Sequence, residues 1–510
     1  MPSRSFQTVL VANRGEIAVR VLRGLKELGL HTVAVYSEAD RDALHVRRAD
    51  RAVCIGPAPA AQSYLDFARV LAAARDTGAD AVHPGYGFLS ENADFAAACR
   101  DAGLWFIGPS AESIRAVGGK KPAKEIAKAA GVPTVPGYDG QDQSMATLLK
   151  AAEQVGFPLL VKASAGGGGK GMRKVDRPQD LPTALDAAKR EAMGAFKDDF
   201  LVLERYVHPA RHIEIQVFGD SHGHVLHLNE RECSVQRRHQ KVLEESPSPV
   251  MTPALRAAMG EAAVAVARAA RYENAGTVEF LVDTQGRFYF LEMNTRLQVE
   301  HPVTELVTGL DLVHLQVHVA RGRKLSELLP QGTPAPRGHA LEARIYAEDP
   351  DHGYLPAAGQ LRFVCEPEGP GVRVDSAVFP GLDIPVHYDP MLAKVIVHAP
   401  DRDMAITRMQ RALTEASYLG IPTNLDMLRR VLAHPAFQKS ELRTDFLDVH
   451  AATLGQREAV PDAALVAAVL AEHLGRTGAA PAARGQGGRG GAAAAELWTR
   501  LGPARIPGGA

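Results

Sequence analysis

The chain has 510 residues, of which 46% are hydrophobic and 23% are charged, and its formal net charge is −1 at pH 7. A chain of this length and composition is expected to form a soluble globular protein of about three to four domains. The near-zero charge argues against a generally basic nucleic-acid-binding protein, and the lack of any apolar run approaching about 20 residues argues against a membrane-spanning helix.

The cysteines and the N-terminus bear on the compartment. Four cysteines lie at positions 54, 99, 233 and 365 with no paired spacing, which favours reduced thiols over a disulfide framework or a zinc site. The first strand is predicted to begin near Thr8, so no signal or transit peptide is expected. Together these features predict a cytoplasmic protein.

The first ninety residues alternate predicted strands and helices. Residues 8–12 form a short apolar run typical of a strand buried on both faces, and apolar residues at helical spacing follow between 17 and 28. Further strands are predicted at 31–36 and 79–83, with a helix near 64–75. This order predicts a parallel sheet of Rossmann type. No GxGxxG sequence follows the first strand, which weakens a dinucleotide-binding interpretation.

Two glycine-containing loops follow predicted strands. Residues 84–92 (PGYGFLSEN) come after a strand of the parallel sheet, where such sheets place ligands, although a loop of this kind is more often a simple turn. The second loop, Gly166–Gly169 followed by Lys170, comes after a strand at 158–162. Consecutive glycines let backbone N–H groups approach a phosphate closely. It is not a P-loop, because no Ser or Thr follows the lysine, and the alternative is a flexible surface loop.

A basic cluster lies between two predicted strand regions. Residues 231–241 (RECSVQRRHQK) contain three arginines, one histidine and one lysine, and Glu244 and Glu245 follow. Charged runs are usually solvated faces, so a surface with salt bridges is one interpretation. An anion-binding site beside a metal is the other, because the cluster precedes a pair of acidic strands.

The acidic strands form a predicted hairpin, with a turn at 284–286. A ladder centred between Gln285 and Gly286 places Glu279 opposite Glu292, and alternation places Phe290, Glu292 and Asn294 on one face. Two carboxylates about 4 Å apart repel by about 4 kcal/mol at an effective dielectric near 20, so a pair that stays ionised favours a cation between its members. Oxygen ligands indicate a hard ion such as Mg²⁺. A polar face in contact with water is the alternative.

Several long motifs together resemble one family. They are ANRGEIAVR, HPGYGFLSEN, KASAGGGGKGMR, RHIEIQVFGD, RECSVQRRHQKVLEE, FLEMNTRLQVEHPVTE, HALEARIYAEDP and YDPMLAKV. In this order the motifs resemble the biotin carboxylases of the ATP-grasp superfamily, over roughly residues 6–450. The resemblance implies an α/β fold with a Rossmann-like N-terminal domain (1–115) and an ATP-grasp domain (116–335) with a mobile lid at about 133–206. A C-terminal domain of mixed α+β type (336–450) and a helical, Gly/Ala-rich linker or truncated tail (451–510) would follow.

The resemblance also implies a reaction and the residues that perform it. ATP and bicarbonate would give carboxyphosphate, whose CO₂ passes to N1′ of biotin on a carrier, with Mg²⁺ or Mn²⁺ bound. Glu300 would be the base, Arg344 would stabilise the biotin enolate, and Lys241 and Arg296 would complete the catalytic set. The implied bicarbonate and biotin residues are Lys241, Arg296, Gln298, Val299, Glu300 and Arg344. The implied metal ligands are Glu279, Glu292 and Asn294.

The implied nucleotide site draws on the lid and on the central strands. The phosphates would contact Lys120, Lys162, His212 and the glycine loop. Glu204, Arg205 and Val207 would hold the adenine, and Gln236 and His239 would face the ribose. The full set of implied nucleotide-binding residues is Lys120, Lys162, Gly167, Gly168, Gly169, Glu204, Arg205, Val207, His212, Gln236, His239, Glu279, Leu281 and Glu292.

Two departures from the family pattern stand out. Gly119 precedes Lys120 where the family usually has Ser or Asp, and we expect only a local change in that turn. No Met-Lys-Met biotin-acceptor motif occurs, so either the carrier is a separate protein or the chain is truncated. Residues 375–394 and 423–428 look most like α subunits of acyl-CoA carboxylases of the acetyl-, propionyl- or methylcrotonyl-CoA type.

The implied partners are a biotin carboxyl carrier protein or domain and a carboxyltransferase subunit, in a homo-oligomer or hetero-oligomer without nucleic acid or membrane. Two other functions stay open. One is a different ATP-grasp ligase that forms an acyl-phosphate, which would have no reason to keep Arg344. The other is a non-catalytic nucleotide-binding subunit, which the presence of Lys241 and the metal carboxylates disfavours.

Overall fold

The computed structural model describes residues 5–163, 172–196, 199–238, 240–455 and 462–476. The chain divides into two compact units, Met1–Gly455 and Gln456–Ala510. Within the described part of the chain, every helix is too short or too polar to cross a membrane.

The N-terminal region forms a five-stranded parallel sheet with the strand order β3-β2-β1-β4-β5. Its elements are β1 (Thr8–Val11), α1 (Gly15–Glu27), β2 (His31–Ser37), α2 (Leu44–Arg48), β3 (Arg51–Gly56), α3 (Phe67–Thr77), β4 (Ala81–His83), α4 (Ala93–Asp101), β5 (Trp105–Phe106) and α5 (Ala111–Val117). Residues 9–11 of the central strand are fully buried, as expected of a strand covered on both faces. The predicted Rossmann-type parallel sheet is confirmed.

A smaller antiparallel sheet, with the order β6-β9-β7-β8, follows in the chain. This region contains α6 (Lys120–Ala129), β6 (Gly137–Tyr138), α7 (Met145–Val155), β7 (Leu159–Ala163), β8 (Met172–Val175), α8 (Leu181–Phe196) and β9 (Leu201–Arg205). Helix α7 begins where the Ser144 hydroxyl accepts a hydrogen bond from the Thr147 N–H, and it ends at Gly156 with φ 82°. The sheet lies within the range predicted for the lid and has an apolar core of its own.

An eight-stranded sheet belongs to the first unit, with the order β14-β13-β10-β11-β12-β15-β22-β20. Its first part contains β10 (Ala210–Gly219), β11 (Val225–Arg237), β12 (Gln240–Ser246), α9 (Pro253–Ala269), β13 (Asn274–Asp283), β14 (Phe288–Asn294), α10 (His301–Thr308), α11 (Leu312–Ala320) and α12 (Leu325–Leu328). Because β12 pairs with β15, the C-terminal region continues the sheet that carries the acidic hairpin.

The C-terminal region adds three strands to the large sheet and covers it with helices. It contains β15 (His339–Tyr346), β16 (Glu348–Asp349), β17 (Leu355–Pro356), β18 (Gly359–Gln360), β19 (Phe363–Cys365), β20 (Val372–Ser376), β21 (Asp383–Ile384), β22 (Met391–Ala399), α13 (Arg402–Glu415), β23 (Ser417–Leu419), α14 (Leu425–Ala433), α15 (Pro435–Gln438), α16 (Phe446–Val449) and α17 (Ala451–Leu454). The largest apolar core of this region lies between β15, β22 and helices α13 and α14. The second unit contains α18 (Asp462–Arg476).

The predicted hairpin is formed by β13 and β14, and Glu279 pairs with Glu292 as expected. Next to the turn, however, Val282 pairs with Phe288, so the ladder there is centred on Gln285, and the register shifts by one residue between Phe280 and Glu279. The extra residue is a β-bulge, which reverses the alternation of side chains along the strand. The prediction that Phe290 shares a face with Glu292 is therefore wrong: Phe290 is buried in the apolar core.

Candidate active site

Lys241 on β12 lies at the centre of a buried cluster of three carboxylates. Its Nζ donates to Oε1 of Glu279 and to Oε1 of Glu300, each at 2.7 Å, and also to Glu214. Burial would lower the pKa of Lys241, but the three carboxylates outweigh it and hold that pKa well above its usual value. The three acids come from β10, from β13 and from the position immediately before α10, so the cluster joins distant parts of the chain.

Glu300 is fully buried and is held by two cations. Its second oxygen accepts a hydrogen bond of 2.9 Å from Arg344, and Arg344 also lies 2.6 Å from Oε1 of Glu244. Burial raises the pKa of Glu300, but Lys241 and Arg344 together hold it well below its usual range. Glu300 is thus an ionised carboxylate at the junction of β12, β15 and α10.

The predicted metal ligands overlap this cluster, because Glu279 belongs to both. Oε1 of Glu279 accepts a hydrogen bond of 2.8 Å from Asn294, and its Oε2 lies 3.0 Å from Nε2 of His212. Burial would raise the pKa of Glu279, yet Lys241 and His212 hold it below its usual range. Burial, followed by repulsion from Glu279, raises the pKa of Glu292. Two carboxylates that repel each other, together with an amide oxygen, fit a hard divalent cation.

Two other groups of buried side chains have metal-ligand spacing, His212 with Glu214 and Glu279, and Cys233 with Glu214 and Glu300. Both groups already contain the ammonium of Lys241, which contacts Glu214, Glu279 and Glu300. A second cation there would meet a fixed positive charge within contact distance. The Glu279–Glu292 pair is the better place for a metal ion, because Lys241 contacts one of its carboxylates, Glu279, whereas it contacts two carboxylates in each of the other groups.

Arg296 presents its guanidinium next to the same hairpin. Its Nε donates to Oε2 of Glu91 at 2.9 Å, and its Nη1 donates to Oε1 of Gln298 at 2.8 Å. Glu91 belongs to the loop 84–92 and also accepts the Thr295 N–H at 3.0 Å. The loop after β4 thus fixes the residues that follow β14, and it brings the parallel sheet to the edge of the site.

Two of the lysines expected to hold the nucleotide phosphates, Lys120 and Lys162, have acidic partners. Lys120 is the first residue of α6, and its Nζ lies 3.8 Å from Oε2 of Glu292. A cavity of about 390 Å³ is lined by Glu91, Lys120, Glu292 and Asn294, among others. On the smaller sheet, Lys162 donates to Oε2 of Glu204. The structure therefore brings one proposed phosphate ligand into contact with the proposed adenine ligand.

Comparisons with known families cover nearly the whole first unit. Three family models match in succession: "Biotin carboxylase, N-terminal domain" at residues 5–114, "Carbamoyl-phosphate synthase L chain, ATP binding domain" at 119–328, and "Biotin carboxylase C-terminal domain" at 342–449. The chain belongs to the biotin carboxylase family. The predicted family and the predicted fold class, an α/β fold with an ATP-grasp domain, are both confirmed.

Similar proteins include both single biotin carboxylases and subunits of larger carboxylases. The chain is 50% identical over 442 residues to the biotin carboxylase of Nostoc, covering 87% of this chain and 98% of that protein. It is 49% identical over 450 residues to the mitochondrial methylcrotonoyl-CoA carboxylase subunit alpha of Mus musculus, covering 88% of this chain and 62% of that protein. The chain thus spans between 62% and 64% of the length of the first three such subunits.

Solved structures of the biotin carboxylase family share this fold closely. One is the biotin carboxylase domain of Hydrogenobacter thermophilus 2-oxoglutarate carboxylase, solved with MgADP, ADP and bicarbonate. It matches with a TM-score of 0.82 at 43% identity over 89% of this chain and 99% of that one. The biotin carboxylase of Campylobacter jejuni, solved as a β-γ-ATP complex, matches with a TM-score of 0.82 at 44% identity over 88% of this chain and 99% of that one.

The other residues of the implied nucleotide site differ from one another in burial and in position in the fold. Gln236 is buried on β11, Leu281 is partly buried on β13, and the Arg205 guanidinium donates to the Val155 carbonyl at 3.1 Å. Val207 lies in the connection from β9 to β10. The predictions for Gly167, Gly168, Gly169 and His239 fall outside the described residues.

Gly119, which departs from the family pattern, lies immediately before α6. It is extended, with φ −92°, and it provides no side-chain cap for the helix. A Cβ built at this position would lie only 3.2 Å from Cδ of Pro122, so glycine at 119 makes room for a proline in the first turn of α6. Lys120 is the first residue of α6, and the expectation that Gly119 changes only this turn stays a prediction.

The sequence did not reveal the partners of Arg344. Glu342 and Glu348 are the acids nearest to Arg344 in sequence and would be the simplest ion-pair partners, but Arg344 pairs with Glu244 and Glu300. Glu348 pairs instead with Arg237 at 3.1 Å. Glu91 and Glu214 were not singled out as site residues either. Their only sequence signal was position, in a loop after a parallel strand and on an alternating strand beside His212.

Arg231 shows that the basic cluster is not a solvated surface. It is fully buried on β11 and donates to Glu214, to Gln216 at 2.8 Å and to Thr304 at 3.0 Å. Arg231 and Lys241 both donate to Glu214. Arg231 therefore helps to hold a carboxylate that positions Lys241. The surface interpretation of Arg231 and Lys241 is therefore wrong.

Replacing Arg231 with Met is expected to lower the free energy of unfolding by about 3–5 kcal/mol, because it leaves the buried Glu214 with one cation fewer. Urea unfolding followed by fluorescence measures this change. Arg287→Met, in the turn before β14, is the matched control: Arg287 is 58% exposed beside Asp283, and a much smaller loss is expected there. Similar losses for the two variants would contradict a supporting role for Arg231.

A second buried cation positions the segment before Glu300. Lys394 on β22 is fully buried, and its Nζ donates to the Val299 carbonyl at 2.7 Å. The same Nζ lies 3.7 Å from Glu16 on α1 and 3.8 Å from Asp375 on β20. Burial raises the pKa of Asp375, but Arg373 and Lys394 outweigh it and hold that pKa below its usual range. The network ties the N-terminal region to the strand beside the site.

Asp375→Asn is expected to reduce the free energy of unfolding at pH 7 by about 3 kcal/mol, the lower end of the cost of breaking a buried ion pair. Because the folded pKa of Asp375 is lowered, its contribution is present above the unfolded pKa of about 3.9 and is lost as the pH falls through the folded pKa. In urea unfolding, the difference in unfolding free energy between the unmodified protein and Asp375→Asn should therefore be constant between pH 7 and pH 5. It should become smaller only below about pH 4. Asp426→Asn, at a site 77% exposed beside Arg429, is the control; a difference that becomes smaller above pH 5 would contradict this account.

Proposed function

We propose that this chain is an ATP- and bicarbonate-dependent biotin carboxylase. The observation that carries the proposal is Glu300, a fully buried carboxylate held between Lys241 and Arg344. A base, an anion-binding lysine and a guanidinium meet there at the edge of an acidic hairpin that fits a divalent cation. Attack by bicarbonate on the nucleotide γ-phosphate needs this combination, because two anions must be brought together and one must lose a proton.

Glu300 would accept the proton of bicarbonate. In the structure its pKa is well below the usual range, and a carboxylate with so low a pKa is a weak base. Bicarbonate bound by Lys241 would share the charge that now stabilises Glu300, and the pKa of Glu300 would rise toward the range that suits a proton acceptor. The deprotonated bicarbonate oxygen would then attack the γ-phosphate, giving carboxyphosphate and ADP.

The guanidinium of Arg296 would bind bicarbonate together with Gln298 and Val299. A planar fork of N–H donors matches the geometry of a planar oxyanion, and the contact with Gln298 at 2.8 Å orients that fork. Carboxyphosphate would break down into CO₂ and phosphate, the phosphate would accept the N1′ proton of biotin, and N1′ would form its bond to CO₂. Arg344 would stabilise the negative charge that develops on the ureido oxygen when N1′ becomes nucleophilic.

The nucleotide would lie between the smaller sheet and the hairpin. Lys120, Lys162 and His212 would hold the phosphates with the glycine loop, and Glu204, Arg205 and Val207 would hold the adenine. Gln236 and His239 would face the ribose, and Leu281 would contribute to the nucleotide site. Phosphoryl transfer depends mainly on positioning and charge neutralisation, which lysines and backbone N–H groups provide.

Glu279, Glu292 and Asn294 would hold Mg²⁺ or Mn²⁺. When bound, the ion would neutralise charge on the nucleotide phosphates. The protein's own contribution is to keep Glu279 ionised through Lys241 and His212 and to place Glu292 opposite it across the hairpin.

A cytoplasmic acyl-CoA carboxylase is the proposed setting, in which the chain would act with a biotin carboxyl carrier protein or domain and a carboxyltransferase subunit. The support is the similarity to methylcrotonoyl-CoA carboxylase subunits. Domain boundaries at 115, 335 and 450 stay part of this proposal, and the family matches that end at 114, 328 and 449 support them. Mass spectrometry after a native pull-down would test the partners: recovery of a biotinylated protein and a carboxyltransferase is expected, and recovery of neither would contradict this setting.

A bicarbonate-dependent ATPase assay with free biotin tests the proposed reaction. We expect ATP cleavage to require bicarbonate, free biotin to stimulate it, and labelled bicarbonate to appear in carboxybiotin. ATP cleavage without stimulation by biotin would indicate a different ATP-grasp ligase that forms another acyl-phosphate. Nucleotide binding without any cleavage would indicate a regulatory subunit.

A further inference from the structure

Glu204 on β9 has two lysine partners, one on each carboxylate oxygen. Lys124 donates to Oε1 at 2.9 Å, and Lys162 donates to Oε2. All three side chains are largely buried, with 14% of Lys124, 17% of Glu204 and 26% of Lys162 exposed. Burial raises the pKa of Glu204, but Lys162 and Lys124 outweigh it and keep that pKa below its usual value. The carboxylate is therefore ionised and doubly neutralised.

The two lysines belong to different parts of the fold. Lys162 lies on β7, which pairs directly with β9, so Lys162 and Glu204 are neighbours within the smaller sheet. Lys124 lies on α6, which packs against α5, α9 and β14 instead. The Lys124–Glu204 pair consequently joins the smaller sheet to the part of the molecule that carries the acidic hairpin.

The two lysines also differ in their roles in the proposed reaction. Lys162 is a proposed phosphate ligand, and an ammonium is a compact charge that serves one anion best at a time. Whenever Lys162 turns toward a phosphate, Glu204 loses part of its neutralisation in a site where an unpaired carboxylate is costly. Lys124 carries no such second task in the proposed mechanism and lies on the opposite oxygen.

We propose that Lys124 is a positioning residue for the nucleotide: it fixes the carboxylate of Glu204 so that Glu204 can accept a hydrogen bond from the exocyclic amino group of adenine while Lys162 contacts phosphate. This inference rests on the proposed nucleotide site. A carboxylate held in place by Lys124 accepts from an amino group and is repelled by a carbonyl oxygen. Lys124 therefore contributes to the choice of adenine over guanine nucleotides.

Nucleotide binding by Lys124→Met tests the proposal, measured by calorimetry with MgATP and MgGTP on the full chain. We expect the dissociation constant for MgATP to rise about tenfold, equivalent to about 1.4 kcal/mol, and the preference for MgATP over MgGTP to narrow. The kcat of ATP cleavage at saturating nucleotide should stay within about twofold, because Lys124 contacts neither the reacting atoms nor their ligands in the proposed site. Lys124→Arg, which keeps the charge, should restore most of the binding.

Lys128→Met is the matched control, because Lys128 lies one turn further along α6, is 49% exposed and is 3.8 Å from Asp139. It should bind both nucleotides as the unmodified protein does. In a double-mutant cycle with Glu204→Gln, the double variant should bind MgATP no more weakly than Glu204→Gln alone, because Lys124 acts through Glu204. Additive losses, or binding by Lys124→Met equal to that of Lys128→Met, would overturn the proposal.

Failure of the proposed function would leave a different signature. If the unmodified protein binds MgATP but free biotin does not stimulate its turnover, the biotin carboxylase reaction is wrong, whereas the binding comparison between Lys124 and Lys128 still decides the role of Lys124. If it binds no adenine nucleotide at all, both proposals fall.

Discussion

Replacing Glu300 with Gln is expected to lower the kcat of bicarbonate-dependent ATP cleavage by about 10²–10⁴-fold, the range that a positioned general base contributes. The amide keeps the size of the side chain but cannot accept the proton of bicarbonate. Nucleotide binding should change little, because the proposed adenine and phosphate ligands do not include Glu300. Steady-state kinetics and MgATP calorimetry on the same preparation measure both effects.

Glu261→Gln, at an exposed position on α9, is the control for the Glu300 variant and should behave as the unmodified protein. Glu300 also neutralises Lys241 and Arg344, so the variant requires a thermal unfolding measurement. Parallel loss of nucleotide binding and turnover in Glu300→Gln would assign Glu300 a structural role and remove it from the proposed chemistry.

Arg344→Met is expected to reduce carboxybiotin formation by about 10²–10³-fold, the cost of removing one preorganised donor from a developing negative charge. ATP cleavage in the absence of biotin should fall less, since Arg344 reaches that step only through its hydrogen bond to Glu300. Labelled bicarbonate incorporation into biotin and phosphate release without biotin provide the two rates. Equal losses in both rates would contradict a direct role for Arg344 at biotin.

The double variant Arg344→Met/Glu244→Gln separates chemistry from stability. Arg344→Met alone leaves Glu244 buried without its ion-pair partner, which costs about 3–5 kcal/mol. Neutralising Glu244 in the double variant should recover much of the unfolding free energy but none of the carboxybiotin formation. Recovery of both would mean that Arg344 acts only as a structural partner of Glu244.

Local patterns in the sequence were enough to predict the elements that carry the site. Strand β1, helix α1 and the hairpin strands were predicted from the pattern of neighbouring residues. Each prediction lies within a few residues of the observed bounds. The pairing of Glu279 with Glu292 was also predicted, but the turn alone does not produce it. The ladder beside the turn is centred on Gln285, and the β-bulge supplies the shift of one residue that brings the two acids opposite each other.

Contacts between distant segments could not be predicted in the same way. Lys241 contacts Glu214, Glu279 and Glu300, and these four residues approach one another only after β10, β12, β13 and α10 are assembled. No spacing rule relates them. The resemblance to the biotin carboxylases supplied the names of most site residues, but the supporting partners Glu91 and Glu214 required the folded chain.

Because of the bulge in β14, the hairpin can have one residue fewer and still place its two acids opposite each other. Deleting Leu291, the extra residue, would straighten the ladder and still leave the carboxylates now at positions 279 and 292 facing each other, because pairing on the two sides of the bulge differs by one position. A chain that lacks the residue at the bulge can therefore keep the acidic pair. An alignment that treats such a gap as damage to the site would misjudge a functional relative.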